Sequence, residues 1–291
     1  MENARRGPGR RRTGCRSRAF RYGSGGPAAI SLIHSSAVID RRADLDSSVR
    51  IGPGAVIGAK VRIGPQTVIG PYAVIEGDTT IGARNRIFQF ASVGADPQDL
   101  KYRGEPSRLE IGDDNRIREF TTIHRGTEGG GMVTRIGNSV LLMNYAHVAH
   151  DCQVGDHSII ANSTELAGHC VLEEWVVTAG MCGVHQFIHI GAHAFVAAGS
   201  KVAQDVPPYA MVAGDRARLV GVNSIGLERR GFDTETIAAI KAALRTLFYG
   251  KLLRHQAIPQ ILEKNGHVAE VRRLVDFILK SERGVVGRDR E

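Results

Sequence analysis

Every sixth residue from Ile33 to Val93 is aliphatic: Ile33, Ile39, Leu45, Ile51, Ile57, Ile63, Ile69, Ile75, Ile81, Ile87 and Val93. A period of six suits neither an amphipathic helix, which repeats about every 3.6 residues, nor a strand with one buried face, which alternates. It is the signature of hexapeptide coils stacked into a parallel β-helix. The residue four places after each aliphatic one is mostly small, as at Ala37, Ala43, Ala55, Ala73 and Ala91. Bulky side chains then fill the interior of a narrow prism and small ones lie near its corners. Three hexads make one triangular coil, so residues 18 apart stack at one strand spacing, roughly 4.8 Å. Gly52, Gly58, Gly64, Gly70 and Gly82 directly follow aliphatic residues. They are expected at bends that need a permissive backbone.

The register breaks twice, at polar, Gly- and Pro-containing segments near 94–110 and 126–135, the second holding Gly129, Gly130 and Gly131. Loops interrupting a regular scaffold tend to carry function. Between them the hexads return at Ile111, Ile117 and Ile123, and after them they run from Ile136 to Val202 with only Thr178 not aliphatic. Pro207 and Pro208 are expected to close the repeat. Residues 234–249 then place Ile237, Ile240, Leu244, Leu247 and Phe248 at helical spacing, with Asp233 as N-cap and Gly250 as stop. Two further helices are expected near 255–264 and 267–281. The organisation expected is therefore an extension over 1–30, a β-helix over 31–206, and an α-helical domain over 207–291.

Charge is unevenly placed. The chain is +8 overall, yet residues 1–30 hold eight Arg against one acid, Glu2. Nearly all the excess lies in that head, so the folded body does not read as a nucleic-acid binder. The head lacks the apolar core of a secretory signal. It reads as a disordered or artefactual extension rather than a targeting segment. No stretch approaches the length of a membrane span. Cys152, Cys170 and Cys182 occupy inward-facing small positions and read as reduced core thiols, which favours a cytoplasmic location.

Seven histidines, His147, His150, His157, His169, His185, His189 and His193, lie within a short span. Polar residues on a prism surface are ordinarily solvated, but the 18-residue step orders these. His150, Gly168 and Gln186 fall in one vertical line, with His147, Glu165 and Gly183 beside it. A histidine next to a glycine amide suits a base beside an anion-stabilising donor. Asp151 would orient the ring if the backbone turns there. The competing reading is zinc held by His147, His150 and His169.

The segments QDLKYRGEP (98–106), IHRGT (123–127), NYAHVAHDC (144–152), ELAGHC (165–170), VHQF (184–187), AQDVPPY (203–209) and GVNSIGLERRGF (221–232) resemble the UDP-N-acetylglucosamine acyltransferases that begin lipid A biosynthesis. The resemblance covers about residues 31–291. It implies a left-handed parallel β-helix, a homotrimer with sites between neighbouring prisms, and no cofactor or metal. It implies transfer of a 3-hydroxyacyl chain from acyl carrier protein to the glucosamine 3-hydroxyl of UDP-N-acetylglucosamine. His150 would be the general base, Asp151 its support and the Gly168 amide the oxyanion donor. Asp99, Lys101, His147, His169, His185 and Gln186 would contact substrate, and Asn223, Arg229 and Arg230 its nucleotide side. Ala198 would stand at the floor of the acyl chain. The chain departs from the family pattern at Arg216, where a histidine is often found, and at Ile225, often a glutamate. Three alternatives stay open: a related enzyme acting on an amino sugar nucleotide, a zinc enzyme of the carbonic-anhydrase type, and a non-catalytic scaffold.

Overall fold

The computed structural model describes residues 32–250 and 252–287, so the expected extension over 1–30 lies outside the described residues. Short strands, most of two residues, recur once per hexad and stack into three faces. Among the described residues the first face, from Val38–Ile39 to Lys201–Val202, holds nine strands, the second, from Asp44–Leu45 to His189–Ile190, eight, and the third, from Arg50–Ile51 to Arg218–Val222, ten. All pair in parallel except the last, Ala210–Ala213 with Arg218–Val222. Together with four C-terminal helices this is a left-handed β-helix. The spacing is visible in the pairing, as in His147↔Glu165 and Glu165↔Gly183. The two inserts stretch it locally, giving Ser92↔Thr122 and then Thr122↔His147.

The hexad aliphatics point inward and are almost wholly buried, from Ile57 to Leu172, as are the small residues two places before them, such as Ala55, Ala73 and Cys170. Cys152, Cys170 and Cys182 are free and buried. Burying each large aliphatic contributes about 1.5–3 kcal/mol, and their number rather than any one contact carries the prism.

The bends differ from expectation. Where a corner residue is left-handed it is usually the third after an aliphatic, and it is seldom glycine: Gln66, Tyr72, Arg84, Phe90, Asp151, His169 and Trp175 all have φ between 54° and 70°. The glycines directly after the aliphatics serve close approach instead. A Cβ on Gly70 would lie 2.6 Å from the Gln89 nitrogen, and one on Gly64 2.8 Å from the Gly82 carbonyl carbon. Left-handed side chains therefore stack along the corners. One corner carries Tyr72, Phe90, Phe120 and Tyr145, and another carries His157, Trp175, His193 and Tyr209.

Pro207 and Pro208 do not end the stack. Ala210–Ala213 continues the third face, pairing Phe195↔Met211. Pro208 holds the same place in its coil as Pro53, Pro65 and Pro71 do in theirs, a position whose amide the ladder does not use. Pro207 follows Val206, which bridges Ile190, and the segment beyond, Gly284–Val286, takes its backbone bonds from Asp205 instead. The helices begin only at Ser224, later than the expected boundary at 207. They are α1 (Ser224–Arg229), α2 (Thr234–Tyr249), α3 (Arg254–Asn265) and α4 (Ala269–Lys280). Asp233 caps α2 by accepting from the Thr236 amide at 2.7 Å. Helix α4 buries Val271, Leu274, Val275 and Ile278 in a core shared with α2 and α3. Arg273 of α4 reaches back to the prism, pairing with Glu173 at 2.7 Å and Glu174 at 2.5 Å.

Candidate active site

His150 follows Val148 by two, where the first face turns into the second, and Asp151 takes the left-handed corner position at φ 60°. That turn brings the carboxylate back beneath the ring. His150 Nδ1 and Asp151 Oδ2 are 2.8 Å apart. Asp151 is 4 % exposed. Burial pushes its carboxyl up, and the bonds from His150 and Thr127 more than offset that, holding it below the usual carboxylate range. With Nδ1 committed to the carboxylate, Nε2 is the nitrogen left for chemistry.

The next coil places Gly168 under the ring. A Cβ there would lie 2.5 Å from His150 Cε1 and 2.7 Å from Nε2, so only glycine lets the imidazole lie where it does. The Gly168 amide occupies the coil position that prolines fill elsewhere, and among the described residues no backbone carbonyl takes it. It remains available to an oxyanion. His169 stacks on Phe187 at 4.3 Å and meets His150 edge-on at 5.1 Å. Burial lowers its proton affinity, as does His150, against the opposing pull of Asp151 and Asp99. His147 bonds Thr122 Oγ1 at 2.7 Å through Nδ1. Its proton affinity is lowered first by burial.

These residues open on a cleft of about 750 Å³ along the first face. His147, His150, Gly168 and His185 line it, with Ala149, Ala167, Val184, Val202 and Ala203 as an apolar floor. Glu165, Gly183 and Lys201 continue the His147 column, three strand spacings or about 14 Å in all. The far end is polar, with Lys201 paired to Asp215 at 2.6 Å and Arg216 and Arg283 alongside.

The first insert reaches the same cleft through Gln98. Lys101 is exposed, and its amide donates to Asp99 Oδ1 at 3.0 Å. Gln186 keeps its column, one coil beyond Gly168, but is exposed and outside the cleft lining. Asn223 caps α1 and donates to the His193 carbonyl at 2.9 Å. Arg230 lies over Trp175 and donates to His193 Nδ1 at 3.3 Å, while Arg229 is exposed. Within one chain the second face separates this group from His150. Ala198 is exposed at the corner between the third and first faces.

The metal-type cluster differs from the three histidines considered from sequence. His150, Asp151 and His169 have ligand atoms within 4.8 Å of one another, and His147, whose Nδ1 bonds Thr122, is not among them. Both Asp151 oxygens are already occupied by Thr127 and His150. Among the described residues no helix is long and apolar enough to cross a membrane.

A hexapeptide solenoid whose grooved face leads to a histidine on a buried carboxylate belongs with the hexapeptide-repeat transferases. Residues 134–168 match the family described as bacterial transferase hexapeptide (six repeats). Residues 205–286 match the family described as Udp N-acetylglucosamine O-acyltransferase, domain 2. The acyl-[acyl-carrier-protein]–UDP-N-acetylglucosamine O-acyltransferase of Herminiimonas arsenicoxydans is 51% identical over 88% of this chain and 100% of its own. That of Janthinobacterium sp. (strain Marseille) is 52% identical over the same shares. The structure of LpxA from Acinetobacter baumannii superposes with a TM-score of 0.85 at 44% identity, covering 88% of this chain and 99% of that one. The chain belongs to the UDP-N-acetylglucosamine O-acyltransferase family, and it is an acyltransferase.

Proposed function

We propose that this chain transfers a 3-hydroxyacyl group from acyl carrier protein to the 3-hydroxyl of the glucosamine in UDP-N-acetylglucosamine, the first step of lipid A biosynthesis. The observation that carries the mechanism is the pair His150–Asp151 seated over Gly168. His150 Nε2 takes the proton of the sugar hydroxyl as its oxygen attacks the thioester carbonyl. The tetrahedral oxyanion accepts from the Gly168 N–H, which contributes about 10²–10³ in rate. Collapse breaks the C–S bond, and the proton on His150 passes to the departing thiolate. Asp151 stays ionised throughout, fixing the tautomer and stabilising the imidazolium. No metal or cofactor enters this sequence, because a thioester is already activated.

His147, His169, His185, Gln186, Asp99 and Lys101 hold the sugar, with the first insert lying over it. Asn223, Arg229 and Arg230 hold the nucleotide. Their separation from His150 within one chain supports a homotrimer in which a neighbouring copy completes each site. The apolar floor takes the acyl chain, with Ala198 limiting its length. The working compartment is the cytoplasm.

The test is mass spectrometry of the product formed from a mixed pool of acyl carrier protein thioesters and UDP-N-acetylglucosamine. A mono-O-acylated sugar nucleotide is expected. His150→Ala should lose about 10²–10⁴ in turnover, and near-normal turnover would remove His150 from its role. The cluster of His150, Asp151 and His169 favours metal binding as a second reading. Loss of turnover on chelation, restored by zinc, would establish it.

A further inference from the structure

We propose that Thr127 is a positioning residue for acyl transfer, gripping the Asp151 carboxylate with two donors and thereby fixing the His150 ring. The inference rests on the reading of His150 as the base. The second insert, between Gly126 and Met132, converges on Asp151. The Thr127 amide donates to Oδ1 at 2.8 Å, and the Thr127 hydroxyl donates to Oδ2 at 2.6 Å. Thr127 is 5 % exposed. Gly130 lies flat against the carboxylate, and a Cβ there would overlap it. From behind, Thr134 Oγ1 accepts the Asp151 amide at 2.8 Å.

A carboxylate is free to swing about its last torsion, which is broad and roughly two-fold. A bond to one histidine does not stop that. Donors from a single residue, one to each oxygen, fix the plane. The branched Cβ of threonine presets its hydroxyl by restricting χ1. The same two donors favour the ionised carboxylate, so the proton taken by His150 stays on the imidazole. The second insert supplies no residue to the cleft lining, yet it sets the geometry of the base.

The experiment measures kcat and KM for Thr127→Val and Thr127→Ser, alone and combined with Asp151→Asn. Thr127→Val is expected to lower kcat by about 10–100-fold, the scale on which partners of an oriented histidine act. KM for both substrates should stay within about threefold, because Thr127 is buried and does not line the cleft. Thr127→Ser keeps both donors and should restore most of kcat. In the Asp151→Asn background, Thr127→Val should cost no more than about twofold, because the two residues act as one unit. Wild-type kcat in Thr127→Val, a loss carried in KM, or losses that multiply in the double variant would each overturn the proposal. Should Thr127→Val not fold, Thr127→Cys, of similar size but with a weak donor, carries the same expectations. Failure of the underlying reading looks different: the wild type makes no O-acylated product, or His150→Ala keeps its turnover.

Discussion

His150 and Gly168 lie one coil apart in the same column, and the imidazole covers the glycine so closely that a Cβ would come within 2.5 Å of Cε1. Real Cβ atoms do not approach that near, so Gly168→Ala must push the ring away. The ring has little room to yield, because Nδ1 is tied to Asp151 at 2.8 Å. Displacing a base by about 1 Å costs on the order of 10²-fold in rate. The expected outcome is a loss of that size in kcat. The fold should be untouched, since His150 and Gln186 occupy the same place in neighbouring coils and Gly168 needs no left-handed φ. Turnover and melting temperature, measured together, check this, and a variant with more than half of wild-type turnover contradicts it.

Asp151→Asn is expected to do more than remove a charge. Three donors, the Thr127 amide, the Thr127 hydroxyl and His150 Nδ1–H, converge on two carboxylate oxygens. An amide offers one oxygen and brings two N–H donors of its own. At least one donor then faces another, and the His150 tautomer with a proton on Nδ1 loses its partner. A fall of about 10²–10⁴ in kcat is expected, with KM little changed. Steady-state kinetics against both substrates decide it.

The prism was legible because its period is a property of the chain itself: a wrong residue at Ile69 or Ile87 has nowhere to hide in so narrow a core. The 18-residue step alone places His150 over Gly168. The corners were less legible. Left-handed φ at Tyr72, Phe90 and Trp175 has no composition signal, since stacking on the next coil replaces the usual preference for glycine. Helix α1 spans only six residues and contains Gly226, too short for a helical period to show. The groove's far end was also hidden, because Asp215 and Arg283 come from beyond the repeat. Lys201 could have been found by extending the column of His147, Glu165 and Gly183 one step further. Thr127 lay in a recognised motif, but its partner is 24 residues on, across an insert that breaks the step.

Arg273→Ala should loosen the helical domain from the prism. Its guanidinium reaches Glu173 and Glu174 on one corner of the coil stack. The side chain is 39% exposed, so solvent screens the pairs and their net worth is about 1–2 kcal/mol rather than the larger figure a buried pair would carry. Glu173 keeps His189 and the Ala192 amide as partners, which limits the loss. A modest fall in melting temperature is expected, with hydrogen exchange rising in α4 before it rises in the coils. Equal exchange in both regions would show that the ion pairs do not tether the domain.

Acid should destabilise the protein well above the range where carboxylates titrate. His124 and His193 are 5 % and 9 % exposed, and burial holds both down to about 4, helped by His147 beside the first and Arg230 beside the second. An unfolded histidine titrates near 6.5. Between pH 6.5 and 4 the unfolded chain therefore binds protons that the folded chain refuses. Stability is present above 6.5 and falls as pH drops through that window, by at most roughly 3 kcal/mol for each histidine. Burial pushes Glu173 up, but His189, the Ala192 amide and Arg273 pull it down to about 2, so its contribution is lost later, as pH falls from the ordinary glutamate value of 4.5 through about 2. The windows separate the two causes. His193→Gln keeps an acceptor for the Arg230 guanidinium but has no proton to take up. Its melting temperature should fall less steeply than that of the wild type between pH 6.5 and 4, and run parallel to it at lower pH. Parallel curves across the whole range would mean that His193 already binds its proton in the folded state.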